Sequence, residues 1–155
     1  MGNSVISIEQ VADYFLTKKE LTPKKIQKLV YYAYAWFIAL NNQDADNIQY
    51  VLFDEEPEAW IHGPVFPSLY NKYRDYGFNE VSQGDIIKIK NEDLISFLDE
   101  VWEIFGKYSA DELEYMTHQE DPWKNARKGI SPIEPSNNKI SKKDIFIFYN
   151  KLANE

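Results

Sequence analysis

Apolar positions recur at helical spacing along most of the chain. Ile8, Val11, Ala12, Phe15 and Leu16 form one face over residues 8–18, opened by a capping box at Ser7 and Gln10. Thr22-Pro23 starts a second helix, with Thr as N-cap and Pro in the first turn. Its stripe is Ile26, Leu29, Val30, Ala33, Trp36, Phe37 and Leu40, and its other faces carry Tyr31, Tyr32, Tyr34 and Ile38. A helix apolar nearly all round belongs at the centre of a fold. After the polar stretch NNQDADN the period shortens. IQYVLF (48–53) and EAWIH (58–62) are rich in strand formers, and the DEEP between them has hairpin-loop length, which predicts an antiparallel hairpin within 48–62. IIKIK (86–90) alternates weakly and is a candidate third, edge strand.

Helical spacing then returns. Pro67 opens a short helix with Leu69, Tyr70 and Tyr73 on one face and Gly77 as its stop. Asn91 caps a longer helix with Leu94, Ile95, Leu98, Val101, Trp102 and Phe105, ending at Gly106. Ser109 and Glu112 form a second capping box, ahead of Leu113 and Met116. Asp121-Pro122 repeats the cap-plus-proline device before Trp123 and Ala126. Ser141 caps the last helix, with Ile140 and Ile145 placed as a hydrophobic staple and a stripe of Ile145, Phe148, Tyr149 and Leu152. The pattern predicts one domain over residues 1–155: a mostly helical α+β fold of six or seven helices with a small antiparallel sheet.

Composition and charge change what this domain could do. The 155 residues include no Cys, so disulfides, thiolate metal sites and thiol nucleophiles are excluded. The longest apolar run, LVYYAYAWFIAL, is shorter than the roughly 20 residues needed to cross a bilayer, and the first residues lack a secretory pattern. The expectation is a cytoplasmic protein without membrane contact. The net charge is −8, and two blocks, 41–58 and 92–121, carry more than all of it. That surface repels phosphate backbones and argues against broad nucleic-acid binding. It attracts a partner with a basic face. The 11 Tyr, 9 Phe and 4 Trp exceed what a core of this size asks for, and surplus Tyr and Trp favour protein interfaces.

No phosphate loop, dinucleotide fingerprint or nucleophile elbow is present, and no cofactor is indicated. The two histidines, His62 and His118, lack the i, i+4 spacing of a helical metal pair. A metal site would require them to meet in space. A small hydrolase or metalloenzyme using His118 as base with Glu120 beside it is one alternative. A DNA-binding regulator is another, resting on Lys24, Lys25 and Lys28 with a preceding helix, and on Lys142 and Lys143.

Several stretches taken together carry a resemblance: VADYFL, LTPKKIQKLVYYAYAW, AWIHGPVFPSLYNKYR, YSADELEYMTHQEDPWKNAR and the closing Ile140, Ile145, Phe148 and Tyr149. In this order the chain, over residues 7–150, resembles the Panacea antitoxin domain family, which includes SocA-like antitoxins and phage-associated GepA-like proteins. The matching motif residues are Gly63, Pro64, Val65, Pro67 and Tyr70, then Thr117, His118, Glu120, Pro122, Trp123 and Arg127. A motif at such helix junctions is read as architectural. The resemblance implies a non-enzymatic antitoxin, on prophages or mobile elements, that binds a cognate toxin encoded by the adjacent gene. In the SocA-like branch it implies delivery of that toxin to a protease such as ClpXP. It brings no catalytic residues. Candidate contacts for a toxin are Tyr31, Tyr34, Trp60, Tyr70 and Tyr73, with Asp54, Glu55 and Glu56 at the rim.

Overall fold

The computed structural model describes residues 3–82 and 88–155. Helix α1 (Ile8–Lys18) and α2 (Pro23–Asn41) begin as the capping residues predict, with the Ser7 and Thr22 side chains accepting from Gln10 N and Lys25 N. Strand β2 (Tyr50–Val51) follows and pairs in parallel with β1 (Asn3–Ser4) at the start of the chain. Strands β3 (Glu58–Trp60) and β4 (Gly63–Val65) form an antiparallel pair. Next come α3 (Pro67–Tyr73), a 3₁₀ turn at Arg74–Tyr76, α4 (Glu92–Phe105), α5 (Ala110–His118), α6 (Asp121–Ala126) and α7 (Lys142–Ala153). The fold is mostly helical α+β with a small antiparallel sheet.

Helix α2 is the axis of the molecule. It packs on α1, α3, α4, α5, α7, β2 and β4, and its residues from Ile26 to Ala39 are buried apart from Trp36. The all-round apolar pattern foretold this position. Its aromatic rings interlock: Tyr32 stacks on Phe105 at 4.2 Å, while Tyr34, Phe53 and Phe66 form a triad with centroids 5.2–5.5 Å apart. Offset and edge contacts of this kind add to simple area burial. Two buried amides tie irregular backbone to this helix. Gln27 donates to Phe66 O and accepts from Phe66 N, fixing the residue that opens α3. Asn42 donates to Ile38 O and Tyr50 O and accepts from Gln49 N and Tyr50 N, holding β2 against the end of α2.

The strand pairing differs from the sequence expectation. The 48–53 and 58–62 stretches do not pair with each other. The first finds β1, and the second folds back through a two-residue turn at Ile61-His62 onto Gly63–Val65. His62 is therefore in the turn, and Gly63-Pro64 continue the sheet instead of closing it. The candidate edge strand at 86–90 begins outside the described residues; its described part, 88–90, is not in a strand, though Ile89 is buried. Helix α6 starts with Glu120 as N-cap, one residue before the expected Asp121. Leu40 and Leu152, read as core, are exposed, and Phe146 is buried instead. No helix among the described residues is long and apolar enough to cross a membrane.

Candidate functional site

The β3–β4 corner is built around two residues with restricted choice. Gly63 has φ +106°, in the region that L side chains avoid, and a Cβ there would lie 2.8 Å from Lys28 Cε and 3.0 Å from Thr117 Oγ1. Only glycine meets both demands. Pro64 pairs with Ala59, whose N–H donates to Asn138 O and whose carbonyl accepts from Arg127. Ala59 thus turns both backbone groups away from Pro64, and the proline's missing N–H costs the ladder nothing. The chain then enters α3 at Pro67, so the rings of Trp60 and Tyr70 meet at 4.9 Å across the corner.

The second motif holds this corner from the α5–α6 junction. Trp123 Nε1 donates to Trp60 O at 2.9 Å, and the Trp123 ring stacks on His118 at 4.0 Å. Arg127, buried, donates to the carbonyls of Ala59, Ser131 and Glu134. Pro122 is buried in the first turn of α6. Thr117 donates to Glu114 O and sits under Gly63. Glu120 faces the other way, into the aromatic core, where it accepts from Tyr149 OH at 2.5 Å and lies 3.1–3.2 Å from Tyr32 OH. Burial pushes its carboxyl up to about 7, against the two phenol hydrogen bonds that favour the charged form.

Lys28 lies at the base of the corner. It is 1 % exposed, and its ammonium donates to Pro64 O at 3.1 Å. Burial lowers its pKa to about 7, with Lys24 adding to the effect and Glu114 opposing it. Sequence reasoning passed over this residue as one of a basic cluster. The available signal was the position of Gln27 and Lys28 one turn before Tyr31 and Tyr32 on a helix apolar all round. The other lysines of that cluster are also engaged: Lys24 with Asp111 and Glu114, and Lys25 with Gly106 O at 2.7 Å. Lys142 and Lys143 pair with Glu56 and Asp46. The lysines that suggested a DNA reader therefore do not form a free basic face.

The two histidines do approach one carboxylate. His62 Nδ1 is 3.0 Å from Glu114 Oε2, and His118 Nε2 is 3.9 Å from the same oxygen, too far for a hydrogen bond. Burial tends to raise the Glu114 pKa, but Lys24 and His62 outweigh it and hold the carboxyl below its ordinary value. Burial lowers the His118 pKa, with Glu114 opposing. The Lys24 ammonium occupies the same carboxylate, and among the described residues no three His, Asp or Glu side chains are grouped to hold a metal. No hydrogen bond among the described residues links His118 to Glu120; Glu120 serves the tyrosines instead.

Of the aromatic contact candidates, Tyr31, Tyr34 and Tyr73 are buried, which removes them from any surface. Tyr31 and Tyr34 belong to the core because α2 is enclosed on every side, and Tyr73 because it ends α3 on the face turned to that core. Trp60 is half-buried and Tyr70 is 42 % exposed. Trp60 lines two grooves. One, of about 560 Å³, runs along Ile61, His62 and Pro135–Asn137. The other, of about 510 Å³, runs from the start of α2 to Tyr70, Arg74 and Phe78. Asp54, Glu55 and Glu56 line neither. Asp54 is exposed beside Ser4, Glu55 is half-buried, and Glu56 is taken by Lys139 and Lys142.

The arrangement is a helix-centred domain that devotes two motifs to fixing one aromatic corner. The family model described as antitoxin SocA-like, Panacea domain, matches residues 26–124, well over half of the chain, and the chain belongs to that family. The match runs from α2 through the β3–β4 corner into α6 and takes in Trp60 and Tyr70, while Pro135–Asn137 of the first groove and Pro23 and Lys24 of the second lie outside it. No curated protein and no solved structure matches the chain.

Proposed function

We propose that this protein is an antitoxin that neutralises a partner toxin by direct contact, through the rigid surface around Trp60 and Tyr70. Membership of the SocA-like Panacea family carries this reading. Its support in the geometry is a fixed, half-exposed aromatic pair at 4.9 Å beside two grooves. Large aromatic anchors held in place lose little entropy on binding and dominate interface energetics. Neutralisation of this kind is occlusion, with the acidic blocks steering a basic partner face.

Co-expression with the product of the neighbouring gene tests the reading. The wild type restores growth and co-purifies with that product, while the double variant Trp60→Ala, Tyr70→Ala loses both and keeps its circular dichroism spectrum. A neighbouring product that is harmless, or that never associates with this chain, defeats the proposal. Toxin half-life in cells lacking a protease such as ClpXP separates occlusion from delivery for degradation: occlusion leaves neutralisation unchanged there.

A further inference from the structure

The groove running from α2 to Phe78 has a charge opposite to that of the protein. The chain carries 25 Asp and Glu against 17 Lys and Arg, yet the groove's charged lining is Lys24, Lys28 and Arg74, with no carboxylate among the described residues. The three cations are not equivalent. Lys24 is already ion-paired with Asp111 and Glu114. Lys28 has one backbone carbonyl as its partner. Arg74 is exposed and pairs with no carboxylate among the described residues. Three aromatic rings, Trp60, Tyr70 and Phe78, line the groove beside these cations, together with Pro23, Gln27, His62 and Val65. Trp60 and Tyr70 form one wall, and Phe78, 97 % exposed, stands at the edge with none of the described residues covering it. Phe78 extends the aromatic surface of Trp60 and Tyr70, and contiguous exposed apolar surface of this kind marks interaction sites.

We infer that this groove receives an acidic segment of the partner toxin that carries a bulky apolar side chain. The apolar group would fill the space between Trp60, Tyr70 and Phe78, and its flanking carboxylates would meet Arg74 and the Lys28 end of the groove. The guanidinium suits this role because its planar donor fork matches a carboxylate. The surrounding acidic surface rejects acidic segments elsewhere, so the local inversion gives register as well as affinity. This inference rests on the antitoxin reading for the identity of the occupant. It does not rest on it for the chemistry of the groove.

The test has two arms, both on the full chain. In the first, fluorescence anisotropy at low salt follows a fluorescein-labelled octapeptide with two central tryptophans flanked by glutamates, beside a twin with lysines replacing the glutamates. The acidic peptide binds saturably, the lysine twin binds at least about tenfold more weakly, and Arg74→Glu and Phe78→Ala each weaken the acidic peptide by about tenfold. Both positions are exposed, so folding is unaffected. Equal binding of the two peptides, or wild-type binding by both variants, overturns the inference. The second arm is co-expression with the neighbouring gene product. Loss of neutralisation by Arg74→Glu, with Ile104→Ala unaffected in the separate groove between α2 and α4, supports it. The reverse pattern means that the toxin docks on the α2–α4 groove: the inference and the assignment of contact to Trp60 and Tyr70 both fail, while neutralisation by direct contact stands. If the wild type neutralises nothing, the antitoxin reading fails and the peptide arm still decides the groove's chemistry.

Discussion

Lys28, on α2, and Glu120, turned toward α2 from the start of α6, are largely buried ionisable groups that the fold treats in opposite ways. Glu120 accepts from two phenols, Tyr32 on both oxygens and Tyr149 on one. Lys28 has a single carbonyl, Pro64 O, and a groove beside it. A carboxyl satisfied on both oxygens locks α2, α6 and α7 together. A lysine held by one carbonyl at the base of a groove contributes less to locking the fold. Two largely buried groups thus differ in how many partners satisfy them.

The contrast can be broken most sharply at Gly63, which stands between Lys28 and Thr117. Gly63→Ala should cost about 3 kcal/mol, combining left-handed strain with a contact against Lys28 Cε. Urea unfolding with an unchanged slope measures it, and a loss below about 1 kcal/mol would show that the corner tolerates a side chain.

The pH dependence comes next. Glu120 is raised from 4.5 to about 7 by burial, so the folded state holds a proton that the unfolded state has released. Stability therefore falls as pH rises from 4.5 through 7, by about 3 kcal/mol if this group acted alone. Lys28 is lowered from 10.5 to about 7, so the unfolded state holds the extra proton, and stability rises with pH from 7 toward 10.5. The two limbs meet near neutrality. Glu120→Gln should flatten the acid limb alone and Lys28→Met the alkaline limb alone. Chemical denaturation across pH for the three proteins checks this, and a single variant that removed both limbs would show that the groups are coupled.

At pH 7 the two sites should also differ in size of effect. Lys28→Met should lie within about 1 kcal/mol of wild type, because an apolar stem replaces a desolvated charge with one hydrogen bond. Trp123→Phe, which deletes the donor to Trp60 O, should cost about 1 kcal/mol and loosen the corner. Hydrogen exchange at residues 58–66 would show that loosening, and protection equal to wild type would place the clamp on Arg127 instead.

Much of the fold was legible because its signals are local. Ser7, Thr22, Asn91, Ser109 and Ser141 cap where their side chains predict, since each cap is satisfied within three residues. The central place of α2 was legible because no face of it can be left in water. The strand partners were not. A strand of two or three residues has no register of its own, and β2 found β1 across the whole of α1 and α2, while β3 turned at once on β4. Exposure was not legible residue by residue: Trp60 and Tyr70 are partly exposed, whereas Tyr31, Tyr34 and Tyr73 carry a tyrosine side chain into the core.

The sequence by itself determined the helices, their caps, the axis and the motif residues of the Panacea family, because each depends on neighbours a turn away or on an apolar face that must be covered. Only the tertiary structure decided that AWIHGPV is a complete hairpin and not one arm of a longer one. It also set Glu120 among tyrosines, and gathered Lys28, Arg74 and Phe78 around one groove in an otherwise acidic molecule. Those outcomes depend on distances between residues 28, 74 and 120, and spacing along a chain does not encode the distance between elements once packing has brought them together.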